Sequence, residues 1–469
     1  MKILYRRCAG IDVHKRSVSV CVLMRRSGSK EPEVEQAVFG TFTQDLERLA
    51  QWLRERKVRQ VAMESTGVYW IPVWNILERK KWKLDLMLVN PATVRALRCQ
   101  KTDRIDARRI AEFLQYGLLK SSFIPPKPIR TLRELTRMRV CIQQDRNRAI
   151  NRIGRLLETV NIKLGSIASN IVGKSARAML QRLAEGSANA ERLAELALGH
   201  LKKKIPDLVL ALDGRTDEHF RWTLRMLLKK LDSLDAELAE LDARLCDKYQ
   251  EHEDVIRRLC TIPGVKRTTA RVLIAELGAD MTPFPSAAHA ASFAGLCPGN
   301  SESAGKRFSG ATRKGNRYLR RMLIQSAWAA ARTSDCLLAA SFRRIAQRRG
   351  MKKAALATAH RILRIAYSLL REGTEYIERG GDHLDRLHPE RTMRKLVRRL
   401  ECIGCDVVVN RGPGRPPGSR NQPKPQPPDI VPKDECARCH HARVRGHCIH
   451  LLRRQRKTTN PPCPGESSV

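Results

Sequence analysis

The hydrophobic period of this chain changes once, abruptly, and that change limits what it can fold into. Up to about residue 120, short apolar runs of strand length alternate with segments of helical spacing; beyond it, apolar residues recur almost throughout at steps of three and four. The junction is SSFIPPKP, Ser121 to Pro128, which reads as a Pro-rich linker. An α/β unit followed by an all-α unit is expected.

Within the first unit, 1–120, Ala9 to His14, Ser17 to Met24 and Glu33 to Phe42 predict three strands in a meander, turning at Ser27 to Ser29. Gln44 to Arg56 has helical spacing (Leu46, Leu49, Trp52, Leu53), Val58 to Met63 is a strand running into Glu64, and Tyr69 to Glu78 is helical. Lys83 to Val89 is a strand and Asp103 to Leu118 a helix. The order βββαβαβα with mixed strand directions fits an RNase H-like sheet.

The next segment, 121–257, is helical. One stripe runs through Leu135, Met138, Ile142, Ala149, Ile153, Leu156 and Val160, with arginines filling other faces. A sharper stripe, Leu224, Leu227, Leu231, Leu234, Leu238, Leu241 and Leu245, has the a/d spacing of a coiled coil. It predicts either an antiparallel hairpin within one chain or a seam between two. From 258 to 345, LCTIPGVKRTTARVLIAELG at Leu259 sets a Pro-Gly turn between helices, as in a helix-hairpin-helix element. There Gly264 and Lys266 would offer a phosphate site. A helical extension, 346–390, precedes a tail, 391–469, with 11 of the 23 prolines and 17 basic against 6 acidic residues.

Composition narrows the partner. The 469 residues carry 89 Lys and Arg against 48 Asp and Glu, a formal net charge of +41, which calls for a polyanion and first of all for nucleic acid. No uncharged apolar run is long enough to span a bilayer, and no signal-like segment opens the chain, so a cytoplasmic protein without membrane contact is expected. Eight of the 14 cysteines (Cys8, Cys21, Cys99, Cys141, Cys246, Cys260, Cys297, Cys336) are isolated in apparent core elements and read as reduced thiols.

Four acids suggest chemistry: Asp12 and Glu64 end two strands expected to be neighbours, and Asp103 and Asp106 share one face of a helix. Singly, they fit a solvated strand end or acids favoured by a helix dipole. Together they would repel unless one or two Mg²⁺ ions joined them, and such a site suits phosphoryl transfer. Lys101, Arg104, Arg108 and Arg109 surround the acid pair, either guiding phosphates or lining a solvated face; His14 and Lys15 follow the first acid. A second constellation, LCPGNSESAGKRFSGATRKGN from Leu296, mixes glycines with Ser301, Ser303 and Ser309 and with Lys306, Arg307, Arg313, Lys314 and Arg317. It can hold a phosphodiester through amides and cations, and a serine there either attacks phosphorus or only donates hydrogen bonds.

GIDVHK at Gly10, MESTGVYW at Met63, NP at Asn90 with KTDRIDARRIAEFL at Lys101, IPGVKRTTA, and the serine-glycine string together resemble the insertion-sequence transposases of the "one-ten" family. The resemblance runs from about Gly10 to about Thr333. It implies a RuvC-like DEDD nuclease domain with Mg²⁺ on Asp12, Glu64, Asp103 and Asp106, and a second domain whose nucleophilic serine falls on Ser303, with Ser301 as fallback. It also implies DNA as substrate, an element-encoded bridge RNA as guide, and a composite site completed by another subunit of a homo-oligomer, with the leucine stripe as assembly seam.

The tail departs from that pattern. Cys402-x₂-Cys405 and Cys436-x₂-Cys439 have the spacing of a four-cysteine Zn²⁺ site or are unpaired thiols. RGPGRPPGSR from Arg411 resembles an AT-hook, with Arg415 directed to a minor groove, or is a basic linker.

Overall fold

The computed structural model describes residues 3–26, 31–65, 67–90, 103–187, 189–299, 301–407 and 409, with the backbone of 443–444 and 447–448; the side chains at 103–105, 301–303, 306–309 and in the last two pairs lie outside that description. The chain divides into two units, Met1–His388 and Pro389–Val469.

The larger unit opens with a five-stranded sheet: β1 (Arg7–Val13), β2 (Ser17–Met24), β3 (Glu33–Gly40), β4 (Gln60–Glu64) and β5 (Asp85–Val89), in the order β3-β2-β1-β4-β5. Strands β1, β2 and β3 pair antiparallel, whereas β4 lies parallel to both β1 and β5. The parallel pairs need crossovers, which α1 (Thr43–Glu55) and α2 (Trp70–Leu77) supply. The expected mixed sheet is therefore observed.

Strand alternation sorts the side chains into two layers. Ile11, Val13, Val20, Val61 and Met63 pack against Leu46, Leu49 and Leu53 of α1 and Val73 and Leu77 of α2. Cys8, Cys21, Leu23, Ala62 and Val89 face the opposite way, onto Ala107, Ile110, Ala111 and Leu114 of α3 (Asp103–Gln115). Strands β1 and β4 are thus covered on both faces, which is why they read as continuous apolar runs.

The segment predicted as a linker is packed on both sides. Ser121 bridges Val89, the Ser122 amide donates to the Leu88 carbonyl at 2.7 Å, and Ile124 packs on the sheet's first core. Phe123 enters an aromatic trio with Phe284 and Phe293 of the helical part, ring centroids 4.8 and 5.8 Å away. Pro128 then sits in the first turn of α4 (Lys127–Thr159), where its missing N–H costs nothing.

Helix α4 and α6 (Glu218–Lys248) form an antiparallel pair, with α5 (Lys174–Glu185) packed on α6. Two ion pairs fix the register: Arg139 holds Asp242 and, seven residues on, Arg146 holds Asp235, seven residues back. Leu224, Leu231, Leu234, Leu238, Leu241 and Leu245 are buried along this pair. Of the two readings of the stripe, the structure has the hairpin within one chain. Its leucines are consumed there, so the expected assembly seam is corrected.

The same core continues through α7 (Glu253–Cys260), α8 (Arg267–Leu277), α9 (Ala287–Phe293), α10 (Arg317–Ala331), α11 (Leu337–Arg349) and α12 (Met351–Glu372). The second unit begins with α13 (Pro389–Glu401), a basic amphipathic helix with no buried residue. Among the described residues no helix is long and apolar enough to cross a membrane.

Candidate active site

Three of the four acids occupy one layer. Asp12 follows Gly10 and Cys8 on the α3 face of β1, and Glu64 follows Ala62 on the same face of β4; the register Ile11 to Met63 sets the two acids side by side at adjacent strand ends. Asp106 lies one turn before Ile110 on the sheet-facing stripe of α3. All three are buried, with 6%, 5% and 7% of their surface exposed, far less than carboxylates ordinarily show.

Gly10 brings the helix this close. A Cβ there would stand 2.2 Å from the Ala107 carbonyl oxygen and 2.4 Å from the Ala111 amide nitrogen, so α3 crosses β1 in backbone contact one residue beyond Asp106. Asp12 Oδ2 also meets His14 Nε2 at 3.1 Å. Asp103 opens α3, but its side chain and that of Arg104, like the whole of Lys101, lie outside the described residues. Arg108 is exposed and bonded to Glu112 at 2.8 Å, while Lys15 is exposed beyond His14.

A set of buried carboxylate oxygens is the hard donor chemistry that Mg²⁺ takes. Asp12, Glu64 and Asp106 fit such an ion in kind and share one layer of the fold. Among the described residues, however, no three His, Cys, Asp or Glu side chains are already gathered to hold one.

The serine string is a β-ribbon. Strands β6 (Ser301–Ser303) and β7 (Lys306–Ser309) pair antiparallel, and the pairing extends downward through a Pro298 to Thr312 bridge and a Gly299 amide bonded to the Ala311 carbonyl at 2.8 Å. At its base Gly295 and Gly315 press backbone on backbone: a Cβ on Gly315 would lie 2.3 Å from the Gly295 nitrogen. At its tip Ser303 pairs with Lys306 across Ala304 and Gly305, both at positive φ (49° and 72°), the two-residue turn that suits the twist of a hairpin. Ser303 therefore stands at the turn end of a paired stretch that runs from Pro298, about 17 Å long. The side chains of Ser301, Ser303, Lys306 and Arg307 lie outside the described residues.

A buried ionic cluster that the sequence reading missed anchors this ribbon. Glu276 on α8, 0% exposed, receives Arg137 through both oxygens at 2.8 and 2.9 Å, Arg133 at 3.2 Å, and the Asn316 amide at 2.6 Å. Asn316, the last residue of the motif, in turn accepts the Tyr318 and Leu319 amides at 3.1 Å each, capping α10. Burial pulls Arg133 down to about 10, against the pull of Glu276, so it stays charged at neutral pH. The signal was a lone acid within RVLIAEL, a run otherwise suited to a core helix.

The predicted phosphate ligands divide. Gly264 is spent on packing: its Cβ would meet the Ser326 carbonyl at 2.3 Å and the Ala330 nitrogen at 2.6 Å, so its left-handed turn serves contact with α10. Lys266 and Lys314 are exposed. Arg317 is exposed too and donates to the Tyr318 hydroxyl at 3.0 Å. In the second unit Cys402 and Cys405 are exposed free thiols, whereas Arg415, Cys436 and Cys439 lie outside the described residues.

Two family models match, a DEDD transposase model of the IS110 type over residues 9–162 and the transposase IS116/IS110/IS902 family model over residues 256–341, together just over half the chain. The chain belongs to the IS110 transposase family. The first IS110 match covers the sheet, its three helices and α4; the second covers α7 through the ribbon into α11.

Among curated relatives, an insertion element IS110 43.6 kDa protein of Streptomyces coelicolor is 37% identical over 123 residues, which is 26% of this chain and 30% of the relative. A transposase for insertion sequence element IS1328 of Yersinia enterocolitica is 25% identical over 247 residues, 52% of this chain and 63% of the relative. An insertion element IS900 42 kDa protein of Mycobacterium paratuberculosis is 29% identical over 153 residues, 32% of this chain and 38% of the relative. The chain thus matches less than two thirds of each relative's length. A solved RuvC structure from Thermus thermophilus aligns with 25% of this chain and 99% of its own, at 16% identity and a TM-score of 0.19.

Proposed function

We propose that the chain is a DNA recombinase that excises and inserts an insertion sequence, cutting with Asp12, Glu64, Asp103 and Asp106 and joining strands through Ser303. The observation that carries this reading is the burial of three acidic side chains on one face of the sheet, at Asp12, Glu64 and Asp106, held there by the Gly10 contact. Carboxylates gathered in one buried layer repel one another, and a divalent cation offsets that repulsion. When bound, Mg²⁺ provides charge stabilisation for a phosphoryl group. The acids hold it, and Lys101 and Arg104 are assigned to the approaching backbone.

Ser303 Oγ is proposed to bond to phosphorus while one bridging oxygen leaves. Lys306, Arg307, Lys314 and Arg317 neutralise the phosphate, and Lys266 extends the basic surface from the helix-hairpin-helix element read at Leu259. The ribbon is a two-stranded sheet of its own, separate from the five-stranded one, which supports a composite site in which the serine of one copy serves the acids of another. The excess of positive charge supports a nucleic-acid partner, DNA first; an element-encoded guide RNA rests on the family resemblance. The tail, with Arg415 and the cysteines Cys402, Cys405, Cys436 and Cys439, is assigned an accessory role, the cysteines as a Zn²⁺ site.

The test is strand exchange between a donor bearing the element's ends and a target, in Mg²⁺. Asp12→Asn and Ser303→Ala should each abolish exchange while DNA binding persists. Normal exchange by Ser303→Ala, with Ser301→Ala inactive, would move the nucleophile to Ser301. Cleavage without exchange in Ser303→Ala would instead favour a RuvC-like nuclease acting by hydrolysis. RNA that copurifies and matches the element's flank would support guidance; random fragments would count against it.

A further inference from the structure

We propose that a cleft beside the acids, on the α3 face of β2 and β3, holds the deoxyribose ring of a nucleotide next to the phosphate being cut, with Ser19 as its polar contact. The inference rests on the nuclease reading above and names the part of the substrate that lies there. Strand register sets one row of residues across the sheet: Glu64 stands beside Asp12, Asp12 pairs with Ser19, and Ser19 pairs with Val38. Directly paired residues share a face, and Cys21, the next residue of β2 on that face, belongs to the α3 layer. Neighbouring strands lie about 4.8 Å apart, so Ser19 is one strand from Asp12 and Val38 is two.

Ser19 is the decisive residue. It is 7% exposed, yet among the described residues its hydroxyl meets no hydrogen-bond partner, whereas buried hydroxyls ordinarily find one. It lines a cavity of about 280 Å³ together with Gln36, Val38 and Ala107, the residue after Asp106. Gln36 is turned to the Cys21 thiol. Val38 and Val34, on the same face, are 56% and 36% exposed, so an apolar ledge continues from Ser19 to the sheet edge.

A water would satisfy Ser19 and leave Val38 wet. A phosphate calls for cations, and the described lining holds none. A base calls for an aromatic face to stack on, which the described lining also lacks. A pentose presents C–H groups to Val38 and Ala107 and an oxygen to a hydroxyl that can donate or accept. One strand spacing, about 4.8 Å, is also the reach from a backbone phosphate at the acids to the sugar it carries.

The experiment uses the full chain and a donor duplex bearing the element's end. Each nucleotide flanking the junction is replaced, one at a time, by a tetrahydrofuran abasic analogue, which keeps the ring, or by a propanediol linker, which keeps the phosphates and removes the ring. Affinity is measured in EDTA, and kcat/KM for strand cleavage in Mg²⁺. At one flanking position propanediol should cost roughly tenfold in both, while tetrahydrofuran behaves as the natural nucleotide. Ser19→Ala should lose the same factor on the natural strand and nothing further on the propanediol strand. Val38→Phe, at an exposed position overhanging the cleft, should weaken the natural and tetrahydrofuran strands and leave the propanediol strand unchanged. Propanediol tolerated at every position, tetrahydrofuran as costly as propanediol, or losses from Ser19→Ala and propanediol that multiply each overturn the inference and leave the nuclease reading intact. A chain that binds the donor with the expected coupling and never cuts it overturns the nuclease reading instead, and failure to bind the donor overturns both.

Discussion

The Arg137 guanidinium grips the fully buried carboxylate of Glu276 through two parallel hydrogen bonds at 2.8 and 2.9 Å. Arg133 and Asn316 complete the cluster, so one acid joins α4, α8 and the foot of the ribbon. Removing it leaves the largely buried Arg133 and the half-buried Arg137 without their carboxylate. Glu276→Ala is expected to cost ~3–5 kcal/mol, read as a lower denaturant midpoint, and to free the ribbon base as seen by faster amide exchange at Asn316.

Gly10 gives a second prediction. Because a side-chain carbon there would collide with the Ala107 backbone, Gly10→Ala must push α3 off the sheet and carry Asp106 with it. A displacement of about 1 Å costs roughly 100-fold in rate at a site built by orientation. Strand cleavage should fall by at least that factor while the far-ultraviolet circular dichroism stays close to that of the parent.

The ribbon tip responds to its turn. Ala304 holds φ at 49°, where a Cβ is strained and a glycine is not. Ala304→Gly should preserve exchange, whereas Ala304→Val should cost about 1–2 kcal/mol locally and open the tip to proteolysis between 303 and 306 without moving the global melting temperature.

The strand order was legible because β1 and β4 are covered on both faces and the crossovers carry clear helical spacing; Asp12 and Glu64 stood out as acids closing apolar runs. Asp106 was legible from its spacing to Asp103. Glu276 was not, since a buried acid in a core helix looks like any exposed one until its arginines, some 140 residues away, are placed beside it. At Gly264 the Pro-Gly turn signalled a bend, and the structure adds that its Cα faces α10, a contact that spacing alone does not reveal. The leucine stripe showed that a partner helix existed, and only the ion pairs of Arg139 and Arg146 identified it as α4.

Two thiols give a pH prediction. Burial pushes Cys8 up to about 12 and Cys21 up to about 11, the latter opposed by Gln36 and Arg108. Both stay protonated in the fold when the unfolded chain has begun to ionise near 9, so the unfolded state binds fewer protons above that pH. Their contribution is fully present below about 9 and is lost as pH rises toward about 11 to 12. Denaturant midpoints should fall over that window, less steeply in Cys8→Ala. Thiol reagents at pH 8 should label both only after unfolding.

The start of α4 has a consequence for how the molecule works. Arg130 clasps Glu78 beside the sheet, Arg133 and Arg137 clasp Glu276 within the next two turns, and Phe123 is wedged just upstream. Through α4 these contacts tie the sheet to the foot of the ribbon. On the composite-site reading proposed above, stoichiometry on the target would become part of the catalytic geometry: the arrival of a second copy, rather than the flexing of one molecule, would deliver the serine.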